Sequence, residues 1–259
     1  MAEYLSVAQA RPMSGLRLVL SPGVPGPWSE AAKGIFSVKK IPYVRVRQEF
    51  PGENRALKEW TAQTTAPVAA WNGEPPRSTW IEQLFLAERL QPDPPLIPAN
   101  IEDRMLMFGY CNELCGENGF GWSRRVMMLH PTLSDPQSEE SARAFASYLG
   151  GKYGYSRAVA EAAPHRVAQI LRLLGTRLAH QRANGSKFFI GERLSALDIY
   201  WATFAALIKP LPPDLCPIPE PLRMFFTNTD PVVAAAITPG LIEQRDFIYR
   251  EYLELPMDL

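Results

Sequence analysis

Residues 188–208 constrain this chain more than any other stretch, because they combine a helix start with an almost wholly apolar helix. Ser195 stands where an N-cap belongs and can accept a hydrogen bond from the Asp198 N–H, while the Asp198 carboxylate reaches back to the Ser195 N–H. Residues 199–208 are apolar on nearly every side, which predicts burial all round. A buried carboxylate needs partners, so Ser195 and Asp198 are predicted to form a structural N-cap.

The length and charge of the chain limit its possible partners. It has 259 residues, 46% of them hydrophobic, and its 27 basic and 27 acidic residues give zero formal charge. This length suits one large domain or two smaller ones. The neutral balance predicts neither a nucleic acid nor a membrane surface as partner. Residues 1–15 lack the apolar core of a signal peptide, and no apolar run approaches the roughly 20 residues that span a bilayer.

Cysteine and histidine usage bears on the compartment and on metal binding. Three cysteines, an odd number, argue against a disulfide framework and predict a reducing, cytoplasmic location. The three histidines are scattered and have no supporting cysteine spacing, so no metal site is predicted.

Short apolar runs alternate with helical patterns over residues 16–90. Asn72-Gly73 between two of these runs is a strong hairpin signal. The predicted order is β-α-β-α-β-β-α. Its segments are strands at 16–21 and 42–47, helices at 28–38, 53–63 and 80–90, and a hairpin with arms at 65–71 and 76–79.

The rest of the chain is predicted to be helical. Residues 91–100 form a proline-rich linker, and residues 1–15 are a tail or short helix. The predicted domains are therefore 16–90 and 101–259. The predicted helices of the second domain are 101–128, 137–150, about 160–183, 195–208 and 239–254.

Both halves of the chain resemble the glutathione transferases. Gly191, Ser195 and Asp198 match the Gly-x-x-x-Ser/Thr-x-x-Asp segment that opens the central buried helix of that family's C-terminal domain. The order of elements over residues 16–90 is similar to the family's thioredoxin-like front domain. The resemblance implies an α/β plus all-α fold class, in which a thioredoxin-like N-terminal domain is followed by a glutathione transferase-type helical bundle.

The resemblance also implies a function. It suggests a cytosolic enzyme that binds glutathione as a co-substrate and presents its thiolate to a hydrophobic electrophile, transferring an alkyl or aryl group. Family members usually form homodimers, so a homodimer is expected as well. Two alternatives stay open: a non-catalytic binding or scaffolding protein with the same fold, and a glutathione-dependent reductase or lyase of specialised metabolism.

The family places a hydroxyl or thiol group before its first helix, commonly in Cys/Ser-Pro-x-Cys/Ser. The matching window here is Gly26-Pro27-Trp28-Ser29, so Gly26 replaces the usual catalytic group. Ser29 keeps the second position and is the predicted catalytic residue, with Gly26 and Trp28 in the glutathione site. Alternatively, Ser29 is only a first-turn residue or N-cap. Ser21 opens a Ser-Pro-Gly loop like that of some bacterial members.

Further glutathione-binding residues follow from the resemblance. Pro67 matches the family's cis-proline, and Val68 is the position whose backbone pairs with the cysteinyl part of glutathione. Ser78 fits the serine that holds the γ-glutamyl group, but Arg77 replaces the usual acidic residue. An arginine there repels the ligand's ammonium and favours a carboxylate, unless it faces solvent. Gly26 and Arg77 are the departures that favour the non-catalytic alternative.

Residues 108–125 match the region that lines the electrophile pocket in the family. Tyr110, Trp122 and Arg124 are its predicted pocket residues. The Arg124-Arg125 pair suits an acidic substrate, or it is a solvated helix end. Cys111 and Cys115 lie one turn apart and are expected to be buried apolar thiols, with a redox pair as the alternative.

Overall fold

The computed structural model describes residues 3–49 and 54–259, and the first part of this described chain is built on a three-stranded sheet. Its strands are β1 (Leu16–Leu20), β2 (Tyr43–Arg47) and β3 (Val68–Trp71), in the order β2-β1-β3. β1 runs parallel to β2 and antiparallel to β3, with Leu16 opposite both Tyr43 and Trp71. All five residues of β1 are buried, as expected for a central strand with a partner on each side.

The strands of this sheet and the helices that accompany them are together called the sheet part. Residues 3–15 form α1 (Val7–Ala10) and its flanks, in which Leu5 pairs with Val46 of β2 and a capping box joins Ser6 and Gln9. The helix predicted at residues 53–63 begins at Glu53, which lies outside the described residues. The helices are α1 (Val7–Ala10), α2 (Pro27–Val38), α3 (Arg55–Thr61) and α4 (Trp80–Leu90).

The predicted hairpin is only partly formed. Its first arm is β3, but its second arm is a single bridge in which Ala69 and Arg77 exchange both backbone hydrogen bonds at 2.8 Å. Pro75 and Pro76 directly precede the bridge and have no N–H to extend a ladder. The predicted order of elements holds, with its last strand reduced to one residue pair.

The helical part follows residues 91–100, which separate α4 from α5; the division into domains at this point stays a prediction. One predicted helix, 101–128, is two helices. Gly119 lies at the break, where a Cβ would be only 2.5 Å from the Glu113 carbonyl oxygen. The helices of this part are α5 (Ile101–Cys115), α6 (Phe120–Ser134), α7 (Glu140–Lys152), α8 (Arg157–Ala183), α9 (Ala196–Phe204), α10 (Glu220–Phe226), α11 (Pro231–Ala234) and α12 (Pro239–Tyr252).

Two short helices, α10 and α11, were not predicted. They lie within and after a second proline-rich segment, residues 210–221, where prolines predict an interruption of helical structure. Pro221 and Pro231 instead occupy the first turns of these helices, where a missing N–H has no cost. Asp230 caps α11 by accepting from the N–H groups of Val232 and Val233 at 2.9 and 3.0 Å.

Helix α9 lies at the centre of the molecule, and all nine of its residues are buried. Ser195 is its N-cap, and the reciprocal capping hydrogen bonds with Asp198 are present. Asp198 Oδ2 accepts from the Ser195 N–H at 3.0 Å, and its Oδ1 accepts from the Phe189 N–H at 3.0 Å. Burial raises the pKa of Asp198 to about 6, and these hydrogen bonds oppose the rise.

Helix α9 also joins the two parts of the chain. It packs against α2 of the sheet part and against α5 and α12 of the helical part. Gly34 allows the close approach of α2, since a Cβ there would lie 3.1 Å from the Ile199 side chain. The Tyr200 hydroxyl donates to the Trp80 carbonyl at 3.0 Å, and Trp201 Nε1 donates to the Leu241 carbonyl at 2.8 Å.

The C-terminal residues return to the sheet part. After α12, the Asp258 carbonyl accepts from Lys33 Nζ of α2 at 2.7 Å, and the Asp258 carboxylate pairs with Arg45 of β2. Glu30 is 8% exposed and lies 2.9 Å from Lys33 Nζ. This polar cluster fastens the end of the chain to α2 and β2.

Replacing Asp198 by alanine is expected to lower the free energy of unfolding by about 3 kcal/mol, because the buried N–H groups of Phe189 and Ser195 lose their acceptor. Urea denaturation measures the change. Asp214 is exposed, so Asp214→Ala serves as control and should change stability by no more than about 0.5 kcal/mol. Equal losses in the two variants would contradict the central role of Asp198.

Glu30 is expected to make stability depend on pH. Burial, opposed by Lys33, raises the pKa of Glu30 from 4.5 to about 7. Between pH 4.5 and about 7, the folded chain therefore binds more protons than the unfolded chain. The Glu30 contribution to stability is present below this pH window and is lost as the pH rises through it. In Glu30→Gln, the change in the free energy of unfolding across this pH window should be smaller by up to about 3 kcal/mol. Urea denaturation at both ends of the window tests this; parallel behaviour of wild type and variant would contradict it.

Candidate functional site

A cleft of about 810 Å³ lies between the sheet part and the helical part. The sheet part contributes the ends of its strands and the loops beside them, at Ser21, Pro22, Val24, Arg47, Gln48, Glu49, Thr65 and Ala66. The helical part contributes α6, α7 and α10, at Arg125, Phe145, Leu149, Lys152, Tyr153, Leu222, Phe225 and Phe226.

Gln48 holds the sheet side of the cleft together. Its Oε1 accepts from the Ser21 hydroxyl at 3.0 Å and from the Ala66 N–H at 2.9 Å, and the side chain is almost fully buried. These residues meet because parallel β1 and β2 end at the same sheet edge, where antiparallel β3 begins. Two hydrogen-bond donors from different loops therefore converge on one acceptor.

The peptide bond between Ala66 and Pro67 is cis. The Pro67 carbonyl accepts from Gln83 Nε2 at 3.2 Å, which ties this loop to α4. Ala66 thereby stands at the cleft, directly beside the cis bond.

Comparisons with known proteins bear on this architecture. No model of a known protein family matches the chain, and no curated protein sequence matches it either. Solved structures do match. A glutathione transferase family member from Pseudomonas fluorescens Pf-5, with two glutathione bound, is 14% identical at a TM-score of 0.63, covering 96% of this chain and 98% of that chain.

Two further bacterial structures agree. A glutathione S-transferase from Methylobacterium radiotolerans, in complex with glutathione sulfonate, is 15% identical at a TM-score of 0.58, covering 92% of each chain. One from Methylobacillus flagellatus KT, with glutathione bound, is 14% identical at a TM-score of 0.59, covering 91% of this chain and 95% of that chain. The fold is that of the glutathione transferases. The predicted fold class is thus confirmed.

Within this glutathione transferase fold, Ser29 does not line the cleft. It lies in the first turn of α2 and is only 3% exposed. Gly26 is the N-cap of α2, and a Cβ there would meet only Val24, at 3.9 Å. The serine that does line the cleft is Ser21. In the sequence, the position of Ser21 directly after a buried strand and before Pro22 is the feature that indicates a residue at the cleft.

Val68 also differs from its expected place. It is fully buried in β3 opposite Val19 of β1. The N–H and C=O of Ala69 point outward to Arg77. Because these groups alternate in direction along a strand, the N–H and C=O of Val68 point toward β1. Of the two residues that flank Pro67, Ala66 rather than Val68 lines the cleft.

Trp28 joins the two parts of the fold. Its Nε1 donates to the Cys115 carbonyl at 3.1 Å, and its ring lies edge-on to Phe204 with centroids 4.9 Å apart. Gly121 allows this contact, since a Cβ there would be 2.8 Å from the indole. The ring also stacks on Tyr153, which lines the cleft. Trp28 thus supports the cleft from behind.

Arg77 and Ser78 lie outside the cleft lining. The Arg77 guanidinium pairs with Glu74 at 3.3 Å, and Glu74 also pairs with Arg89 at 2.6 Å. The Ser78 N–H donates to Glu82 at 3.2 Å. The charge of Arg77 is therefore balanced within the fold.

The three predicted electrophile-pocket residues divide differently. Trp122 lies edge-on to Tyr153, with centroids 5.4 Å apart, and Tyr110 packs partly buried against the core. Arg124 is 3% exposed, and its Nε donates to the Leu207 carbonyl at 2.9 Å. Burial lowers the pKa of Arg124 to about 10. The arginine that lines the cleft is its neighbour, Arg125.

Other chemistry lies away from the cleft. Cys111 and Cys115 are buried and unpaired, and burial raises the pKa of both thiols well above the ordinary value. Among the described residues, no group of three histidine, cysteine, aspartate or glutamate side chains is arranged to hold a metal ion. No helix within residues 3–49 and 54–259 is long and apolar enough to cross a bilayer. The C-terminal helix α12 and the residues that follow it, 239–259 in all, do not line the cleft.

The neighbouring arginines are expected to respond differently to substitution. Arg124→Met should lower the free energy of unfolding by about 2 kcal/mol, because the Leu207 carbonyl loses its donor. Arg125→Met should change it by no more than about 1 kcal/mol, because Arg125 lines the cleft and its Nε has no hydrogen-bond partner to lose. Urea denaturation of both variants tests this. Equal losses would contradict the division between a structural and a cleft-facing arginine.

Proposed function

We propose that this protein is a glutathione transferase that binds glutathione on the Ser21, Gln48 and Ala66 side of the cleft. One observation carries the proposal: the Ser21 hydroxyl and the Ala66 N–H converge on a single acceptor at the mouth of a two-sided cleft. The solved relatives of this fold include structures with glutathione bound, which supports the choice of ligand.

Ser21 has the chemistry that a bound thiol needs. A free thiol has a pKa of about 8.5, and a hydroxyl that donates to sulfur stabilises the thiolate and lowers that pKa. The Ser21 hydroxyl already acts as a donor, to Gln48. The positive end of α2, whose first turn follows the same loop, acts in the same direction.

Glutathione can replace Gln48 at both donors. Its cysteinyl carbonyl would accept from the Ala66 N–H, and its sulfur would accept from the Ser21 hydroxyl. The exchange substitutes one acceptor for another, so few hydrogen bonds are lost. Gln48 would turn away as the peptide enters.

The charges beside Gln48 fit the ends of the tripeptide. Glu49 can pair with the ligand's ammonium group, and Arg47 can pair with one of its carboxylates. In this arrangement glutathione needs no contact with Arg77 or Ser78. The acidic residue missing at position 77 is then replaced by Glu49.

The proposed reaction is nucleophilic addition or substitution. The glutathione thiolate forms a new C–S bond to an electrophile held on the helical side of the cleft. In substitution the leaving group departs with its electron pair; in addition the product carbanion takes up a proton. The protein's contribution is to hold the thiolate and electrophile together and to keep the sulfur ionised. The homodimer and the cytoplasmic location stay predictions.

Ser21→Ala is expected to lower kcat/KM about 100-fold for glutathione with chlorodinitrobenzene, because the thiolate loses its hydrogen-bond donor. Ser29→Ala is the matched control and should leave kcat/KM unchanged, because that hydroxyl does not line the cleft. Ultraviolet absorbance of the bound thiolate, measured against pH, should show a raised thiol pKa in Ser21→Ala alone. A loss in Ser29→Ala, with Ser21→Ala unaffected, would contradict the assignment.

Calorimetric titration with glutathione separates the alternatives. Binding without turnover would favour the non-catalytic protein of this fold. Binding by Arg77→Glu but not by the wild type would place the glutathione site at position 77 and contradict the arrangement around Glu49. No binding by either would overturn the proposal.

A further inference from the structure

Arg125 on α6 lines the helical side of the cleft. Its Nη1 lies 3.9 Å from Met128 Sδ, and its Cζ lies 5.0 Å from the centre of the Phe226 ring. Its Nε is buried without a hydrogen-bond partner. Burial lowers the pKa of Arg125, and the Tyr153 hydroxyl opposes this only in part. Arg125 stays protonated, since an arginine pKa lies far above neutral pH.

The buried arginines Arg124 and Arg245 have backbone carbonyl partners, whereas the oxygen partner of Arg125 is the Tyr153 hydroxyl. Arg124 donates to the Leu207 carbonyl, and Arg245 donates to the Lys209 carbonyl and pairs with Asp246. No carboxylate within the described ranges lies at ion-pair distance from Arg125. Arg124 also has no carboxylate partner, but it is 3% exposed and does not line the cleft, whereas Arg125 does. A partly buried cation without an anion is unfavourable, and at Arg125 an anionic ligand in the cleft would supply the negative charge.

A second cation stands nearby on the same side of the cleft. Lys152 Nζ donates to the Thr65 hydroxyl at 2.7 Å and lies 5.6 Å from the centre of the Tyr153 ring. It too has no ion pair with any carboxylate of the described chain. The carboxylate in the cleft lining, Glu49, belongs to the sheet side. The helical side therefore carries a positive potential that attracts anions.

Aromatic side chains surround these cations. Phe225 is 39% exposed and Phe145 is 37% exposed, although both belong to the lining of the cleft. Exposed apolar area in a concave site indicates a ligand with an apolar body. A bare phosphate would leave this surface uncovered, whereas an aromatic anion would use both the rings and the charge.

We infer that the helical side of the cleft binds an aromatic carboxylate or sulfonate, with its anionic group on Arg125 and its ring against Phe145 and Phe225. This names the class of the electrophile, and it rests on the proposed function only in treating that molecule as the second substrate. The anion site itself is independent of glutathione.

Titration with naphthoate, a non-electrophilic aromatic carboxylate, tests the inference by calorimetry. Naphthamide has the same ring and no charge. We expect the wild type to bind naphthoate at least about ten-fold more tightly than naphthamide, as for one charge-assisted hydrogen bond to arginine.

Variants identify the residue responsible. Arg125→Met keeps an apolar side chain of similar length and should lose the preference for the acid, while Arg125→Lys should keep part of it. Arg193→Met is the control, because Arg193 is exposed and does not line the cleft. Thermal unfolding of each variant shows that the comparison concerns folded protein. Equal affinity for acid and amide in the wild type, or an unchanged preference in Arg125→Met, would overturn the inference.

A second titration in saturating glutathione separates the two substrates. Binding of naphthoate with unchanged affinity supports a second-substrate site. Competition would assign Arg125 to the glutathione site and overturn that part of the inference. If glutathione itself does not bind, the proposed function fails, and the comparison of acid with amide in its absence still decides whether the anion site exists.

Discussion

The carboxylate of Asp198 is the interaction on which the rest of this structure depends. It satisfies backbone N–H groups at the start of α9, a helix that is buried on every side and therefore cannot take these bonds from water. Because α9 packs against α2, α5 and α12, fixing its start also sets how the sheet part meets the helical part.

The cleft combines two kinds of wall for one physical reason. Its sheet side consists of strand ends and loops, where backbone groups and short side chains such as Ser21 are free to meet a ligand. Its helical side consists of long side chains on α6, α7 and α10, which supply aromatic surface and positive charge. The proposed function uses the first wall for glutathione and the second for the electrophile.

Adjacent residues with opposite roles show where prediction from the sequence ends. Arg124 and Arg125 are identical in type, but successive residues of a helix point about 100° apart. One therefore turns to the Leu207 carbonyl and the other to the cleft. Helix α6 is covered on more than one side, so its apolar pattern does not indicate which arginine faces which neighbour. Ser21 and Ser29 pose the same problem, because the family pattern tolerates a hydroxyl at several loop positions.

The sequence by itself determined the order of elements over residues 16–90, the capped and buried helix α9 and the class of fold, because capping, apolar periodicity and turn residues are local signals. Tertiary structure decided what those signals cannot carry. It placed Ser21 rather than Ser29 at the cleft. It also turned Arg124 to the Leu207 carbonyl and Arg125 to the cleft, where none of the described carboxylates pairs with Arg125. Each of these outcomes depends on which distant groups come within a few ångströms, and packing of the whole chain sets those distances.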